Sequence, residues 1–159
     1  MKNFDYALYN SLHNGESTAE WLAMCKRCHA EYLLCKSHLT DRFVQWYENG
    51  NFHDAVIENI YSSFDSKGRL TVNIALRNSA FSDVVLCYCD VKVFHIRKSE
   101  DSDVNYLKES CLYDEFYRAE NKTENIVHEF FTLEDTFFYI EFSKLDMRRR
   151  AKIGLLGLK

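Results

Sequence analysis

The apolar residues of this chain change their spacing once, close to residue 50, and that change limits the fold to helices followed by strands. Between residues 17 and 48, Trp21, Cys25, Cys28, Tyr32, Cys35, Leu39, Phe43 and Trp46 recur at alternating steps of three and four. That is the period of one helix face. From Phe52 onward the period is two. Leu70, Val72, Ile74 and Leu76 alternate with Arg69, Thr71, Asn73 and Arg77, as a strand with one wet face requires. Three members of the helical stripe are cysteines, so the next question is whether they carry chemistry or packing.

A structural zinc needs four ligands converging within about 2.0 to 2.3 Å of one point. Cys25-x-x-Cys28 followed by Cys35-x-x-His38 has the residue types for this. On a continuous helix, however, Cys25 and His38 stand roughly 20 Å apart along the axis. Haem attachment through Cys25-x-x-Cys28-His29 needs an exported chain. Residues 1–12 contain Asn3, Asp5 and Asn10 and no apolar run of the signal-peptide kind. A redox pair works best with its thiolate at a helix N-terminus, whereas Cys25 lies about two turns beyond the Ser17-x-x-Glu20 capping box. Packing is the better account: buried thiols behave as small hydrophobes. Cys87 and Cys89 share one strand face and are not expected to bridge. No metal and no cofactor are expected.

The remaining elements follow from periodicity and turn residues. A short helix over Phe4, Leu8 and Leu12 should end near Gly15. The long helix should break near residues 37–41, with Thr40 capping a new start, and stop around residues 48–51. Strands are expected over residues 52–64, 70–77, 84–96, 111–119, 126–133 and 136–147, although 106–115 could equally form a short helix. The turns fall at Asp65-Ser66-Lys67-Gly68, residues 78–83, 120–124 and Glu134-Asp135, and residues 99–103 read as a loop. The expected architecture is α+β, with N-terminal helices packed on one face of an antiparallel, mostly meander sheet of about six strands. The chain reads as a single domain over 1–159, with a helical part (1–50), a β-rich part (51–147) and a basic tail (148–159).

A chain of 159 residues with 47% hydrophobic content can bury one substantial core. Its formal charge of −4, with basic residues clustered only at Arg148, Arg149, Arg150 and Lys152, argues against nucleic acid. The longest apolar runs, 84–89 and 137–140, fall far below the roughly 20 residues of a membrane-spanning helix. A cytoplasmic chain is expected.

Catalytic patterns are sparse. His53-Asp54 resembles a fragment of a metal-dependent hydrolase site, with His128 as a further candidate, but adjacent strand residues point to opposite faces. Gly15, Gly50, Gly68, Gly154 and Gly157 form no phosphate-cradling loop. Asn121-Lys122-Thr123 is a glycosylation sequon that a cytosolic chain does not use. The hairpin over 113–123 is different: Tyr113, Asp114, Glu115, Tyr117 and Glu120, with Glu124 beyond, combine tyrosines with carboxylates. Tyrosine offers contact area at low entropic cost and carboxylates suit a basic protein partner.

The run Phe52-His53-Asp54-Ala55-x-Ile57 resembles the Phe/Trp-His-Asp-Ser/Ala-x-Ile/Val element that opens the β-rich part of a loose group of small, largely uncharacterised bacterial domains. Leu112-Tyr113-Asp114-Glu115-Phe116-Tyr117 and the final aromatic, acidic run Phe138-Tyr139-Ile140-Glu141-Phe142-Ser143-Lys144-Leu145 extend that resemblance over about residues 52–147. Some proteins of this kind accompany polymorphic or contact-dependent toxins as immunity proteins, and they have no agreed catalytic residues. The resemblance therefore implies a non-enzymatic protein-binding domain, an immunity protein that neutralises a toxin by direct binding. A small hydrolase using His53 and Asp54 is the alternative. A homodimer pairing through edge strands is compatible with the first reading.

Overall fold

In a computed structural model, residues 1–5, 8–9, 18–78, 83–98, 108–120 and 124–150 are described. The Gly15 helix end, the Ser17 cap, the 99–103 loop, the 121–123 sequon and the tail beyond residue 150 lie outside them, as do parts of the short N-terminal helix, the 78–83 turn and the 106–115 helix alternative. The described elements are helix α1 (Thr18–Cys35), a 3-10 turn (Lys36–His38), helix α2 (Asp41–Glu48) and eight strands. The strands are β1 (Val56–Phe64), β2 (Leu70–Arg77), β3 (Val84–Cys89), β4 (Val93–Lys98), β5 (Cys111–Arg118), β6 (Ile126–Thr132), β7 (Thr136–Phe142) and β8 (Lys144–Arg149). The fold is α+β with antiparallel sheets.

The helical stripe does what its spacing demands. Cys28, Tyr32, Cys35, Leu39, Phe43 and Trp46 are buried, and Trp21 and Cys25 are half-buried. Met24, outside the expected stripe, is wholly buried as well. The break expected after Cys35 is the 3-10 turn. Thr40 takes the N-cap position of α2 but makes no side-chain cap; its hydroxyl donates to Asp146 Oδ1 at 3.1 Å instead. Gly50 ends the helical part at φ +73°, a left-handed conformation that glycine adopts without strain.

The six expected strands are all present, but two are creased, which gives eight strands in two sheets rather than one meander. The orders are β1-β2-β3-β8 and β4-β7-β6-β5. One crease lies at Asp90, whose φ of +54° breaks the run between β3 and β4. The other is Ser143, between β7 and β8. They sit side by side, because the Ser143 N–H and Oγ both donate to the Cys89 carbonyl and the Lys92 N–H donates to the Glu141 carbonyl. β3 pairs with β8 on one side of the creases and β4 with β7 on the other. The two sheets are thus joined through shared, bent strands.

A second junction closes the ring. The Asp54 N–H donates to the Cys111 carbonyl, the Cys111 N–H to the Ala55 carbonyl and the Ile57 N–H to the Glu109 carbonyl, so the start of β1 meets the start of β5. Register shifts flank both partners, at residues 57–59 and 111–113, as expected where a strand turns a barrel corner. Inward residues of both sheets, including Ile57, Ile74, Leu86, Tyr88, Phe116, Phe130, Ile140 and Leu145, form one core with Phe43 and Trp46 of α2. The helical part therefore divides in two. α2 enters this core together with Tyr32 and Cys35 at the end of α1, whereas the earlier turns of α1 cover the opposite face of the second sheet, packing Met24 and Cys28 in one cluster with Phe131 of β6. Among the described residues no helix is long and apolar enough to cross a membrane.

Candidate functional site

β5 is the strand on which the site is built. Its even-numbered residues Asp114 and Phe116 face the core and its odd-numbered residues Tyr113, Glu115 and Tyr117 face away, the alternation of any strand. Phe116 stacks on His128 with ring centroids 4.0 Å apart, and Tyr113 lies against Phe4 and Trp21 on the outer face. Where α1, the end of α2 and β5 meet, a hollow of about 490 Å³ opens. α1 supplies Cys25, Cys28, His29 and Tyr32, one stripe at helical spacing; α2 supplies Tyr47 and Glu48; β5 supplies Tyr113, Asp114, Glu115 and Phe116.

Its polar groups are held in place. The Tyr32 hydroxyl donates to Glu48 Oε1 at 3.0 Å, and Lys36 Nζ pairs with the same oxygen at 2.8 Å. These contacts, Lys36 first, hold the Glu48 carboxyl below its ordinary value. The Asp114 carboxylate accepts at 3.1 Å from Nε2 of His128. His128 is wholly buried, and its Nδ1 lies 2.8 Å from the Tyr88 hydroxyl. The tautomer with hydrogen on Nε2 satisfies both contacts: it donates to Asp114 and accepts from Tyr88. A chain of hydrogen bonds thus runs from the core to the wall of the hollow.

The thiols are not activated. Burial pushes Cys28 up to about 11 and Cys35 up to about 12, and it raises Cys25 as well. Nucleophilic or redox cysteines need the opposite shift. All six cysteines are free. Burial also drives Tyr32, Tyr47 and Tyr113 upward, so these hydroxyls stay protonated donors. What the hollow offers is aromatic surface with the carboxylates of Glu48, Asp114 and the deeply buried Glu115 on its wall, which is the chemistry of recognising a cation.

The expected contact residues do not form one surface. Tyr113, Asp114 and Glu115 line the hollow, but Glu115 is only 2% exposed. It accepts from the Asn3 N–H, and burial raises its carboxyl above the ordinary value. Tyr117 and Glu120 line a separate hollow with Glu129 and Tyr139, where the Tyr117 hydroxyl donates to Glu129 at 2.7 Å. Tyr32, Tyr47, Glu48 and His29 were not singled out as site residues from the sequence. Tyr32 and His29 could have been, since they share the stripe of Cys25 and Cys28. Glu48 and Tyr47 carried no signal, because only the break after Cys35 folds α2 back toward β5.

The Phe52-to-Ile57 element proves architectural. Phe52, Ala55 and Ile57 are buried, with Phe52 edge-on to His128 and Trp46. Its backbone makes the β1–β5 junction. His53 and Asp54 pair with each other at 3.1 Å on the surface, with Asp54 at φ +64°. His128 is enclosed in the core and bonded elsewhere, so the structure does not bring these three residues together. Among the described residues, no three of His, Cys, Asp and Glu are grouped to hold a metal ion. Comparison with family models, curated proteins and solved structures finds no match for the chain.

Proposed function

We propose that this chain is a non-enzymatic, cytosolic protein-binding domain whose hollow between α1, α2 and β5 receives a lysine or arginine side chain of a protein partner. The observation that carries the reading is the pairing of Tyr32, Tyr47 and Phe116 with the carboxylates of Glu48 and Asp114 around one opening, while every cysteine and tyrosine with a resolved shift is moved away from reactivity. A desolvated cation gains from ring faces and from fixed carboxylates together. The exposed rim, including His29 and Glu48, leaves the opening accessible. An immunity protein that neutralises a toxin by direct binding is the specific form of this reading, and a basic active-site residue of a toxin is the natural occupant.

The test is co-purification with the product of the neighbouring gene, followed by titration of that complex with the Glu48→Gln variant. Glu48 is exposed, so its loss does not disturb the core. Weakened binding supports the reading; a complex of unchanged affinity in both Glu48→Gln and Asp114→Asn sinks it. Sedimentation of the free chain separately tests for a homodimer through its edge strands.

A further inference from the structure

The opposite side of α2 lines a second hollow, of about 450 Å³, with different chemistry. At 100° per residue, Arg42, Gln45, Trp46 and Asn49 fall on one side of this helix and Tyr47 and Glu48 on the other. Asn51, Val84, Met147 and Arg149 complete the lining, which contains no carboxylate. Arg42 donates only to the Met147 carbonyl, at 3.3 Å, and Arg149 is exposed at the end of β8 without an ion pair among the described residues. Two guanidinium groups thus stand at one hollow whose lining, among the described residues, holds no carboxylate to balance them.

Hydrogen bonding supplies the second, independent sign. Four buried side-chain atoms among the described residues lack a partner, and two of them belong to this lining: Nε1 of Trp46 and Oδ1 of Asn51. Both residues are more than nine-tenths buried. The Asn51 amide nitrogen donates to the Trp46 carbonyl at 2.7 Å and the Asn51 carbonyl accepts from Asn78 at 2.8 Å, so the loop is braced while the outer oxygen is left over. Buried polar groups are almost always paired, so an orphaned donor and an orphaned acceptor in one lining call for an occupant.

We infer that this hollow binds a small organic oxyanion that also carries a hydroxyl, of the phosphate-ester or hydroxy-acid type. The anionic group meets Arg42 and Arg149, which suit planar or tetrahedral oxyanions through forked donors. The indole N–H adds a neutral donor, and the hydroxyl gives Asn51 Oδ1 the hydrogen that it lacks. The volume exceeds what an inorganic ion fills. The site is independent of the cation-binding hollow, since it shares no lining residue with it.

The chain has two tryptophans, so Trp21→Phe leaves Trp46 as the sole indole reporter. Titration with glycerol 3-phosphate, with malate and with glycerol as control should give a saturable change in Trp46 emission for one of the two anions and none for glycerol. The responding anion identifies the oxyanion. Arg149→Gln should weaken that response roughly tenfold or more without moving the thermal midpoint, because Arg149 is exposed. Calorimetric titration of the unsubstituted chain gives the same answer without relying on the Trp21 change. No saturable binding of either anion, or equal binding in Arg149→Gln, overturns the inference.

Discussion

The two sides of α2 differ as much as two parts of one small protein can. One side looks into a hollow of tyrosines and carboxylates, the other into a hollow of arginines and amides, yet both rest on the same eight residues and the same buried anchor, Phe43. The difference teaches that the charge of this chain, −4 overall, says little about what any one surface attracts. The fold sorts the charges locally, and one amphipathic helix can separate opposite preferences because only its Phe43 and Trp46 edges must enter the core.

The most severe way to break that separation is to remove its anchor. Phe43→Ala should cost about 3 to 5 kcal/mol of stability, the range for truncating a fully buried aromatic side chain, and should abolish both hollows together in a denaturant melt. Tyr88→Phe comes next. Removing the hydroxyl beside His128 leaves Nδ1 without a partner inside the core, at a cost of about 1 to 3 kcal/mol, read as a lowered denaturation midpoint. A sharper comparison comes from Glu48→Gln, which should weaken a cationic partner by about tenfold and leave oxyanion binding unchanged; a change in both would mean that the hollows are coupled.

Smaller effects probe the packing. Cys28 and Cys35, raised by burial to about 11 and 12, should alkylate at pH 8 more slowly than a free thiol by about two orders of magnitude or more, with half-exposed Cys25 modified first in peptide mass spectra. The smallest effect is a pH slope. Burial raises the Glu115 carboxyl above the ordinary value of 4.5. Below that value both folded and unfolded chains carry the proton and the stability contribution is complete. As pH rises, the unfolded chain ionises first, so stability falls until the folded carboxyl also loses its proton. Glu115→Gln should flatten that decline when denaturation midpoints are compared from acid to neutral pH.

Much of the fold was legible from spacing. The buried stripe from Cys28 to Trp46 and the alternation of Val72, Ile74 and Leu76 in β2 were readable because those residues meet the core. The creases were harder. At Ser143 the inward set changes from Phe138, Ile140 and Phe142 to Leu145 and Met147, a shift of parity visible in the sequence that marks an extra residue in a strand. Asp90 gave a fainter mark, since aspartate tolerates left-handed backbone without requiring it. The β1–β5 junction rests on backbone hydrogen bonds between residues about 55 apart in the chain, and local pattern cannot report such a pairing. The hollow was half legible for the same reason: Tyr113 and Asp114 announced themselves as a polar, aromatic strand, but the meeting of Glu48 with Tyr32 depends on the chain folding back at the 3-10 turn.

The adjoining bends at Asp90 and Ser143 have a mechanical consequence. Each of the two strands that cross there belongs to both layers, so peeling one layer away strips pairing from the other at the same time. Heat, denaturant or force finds no seam to open first, and β3, β4, β7 and β8 should exchange their amide hydrogens together, as a single cooperative block.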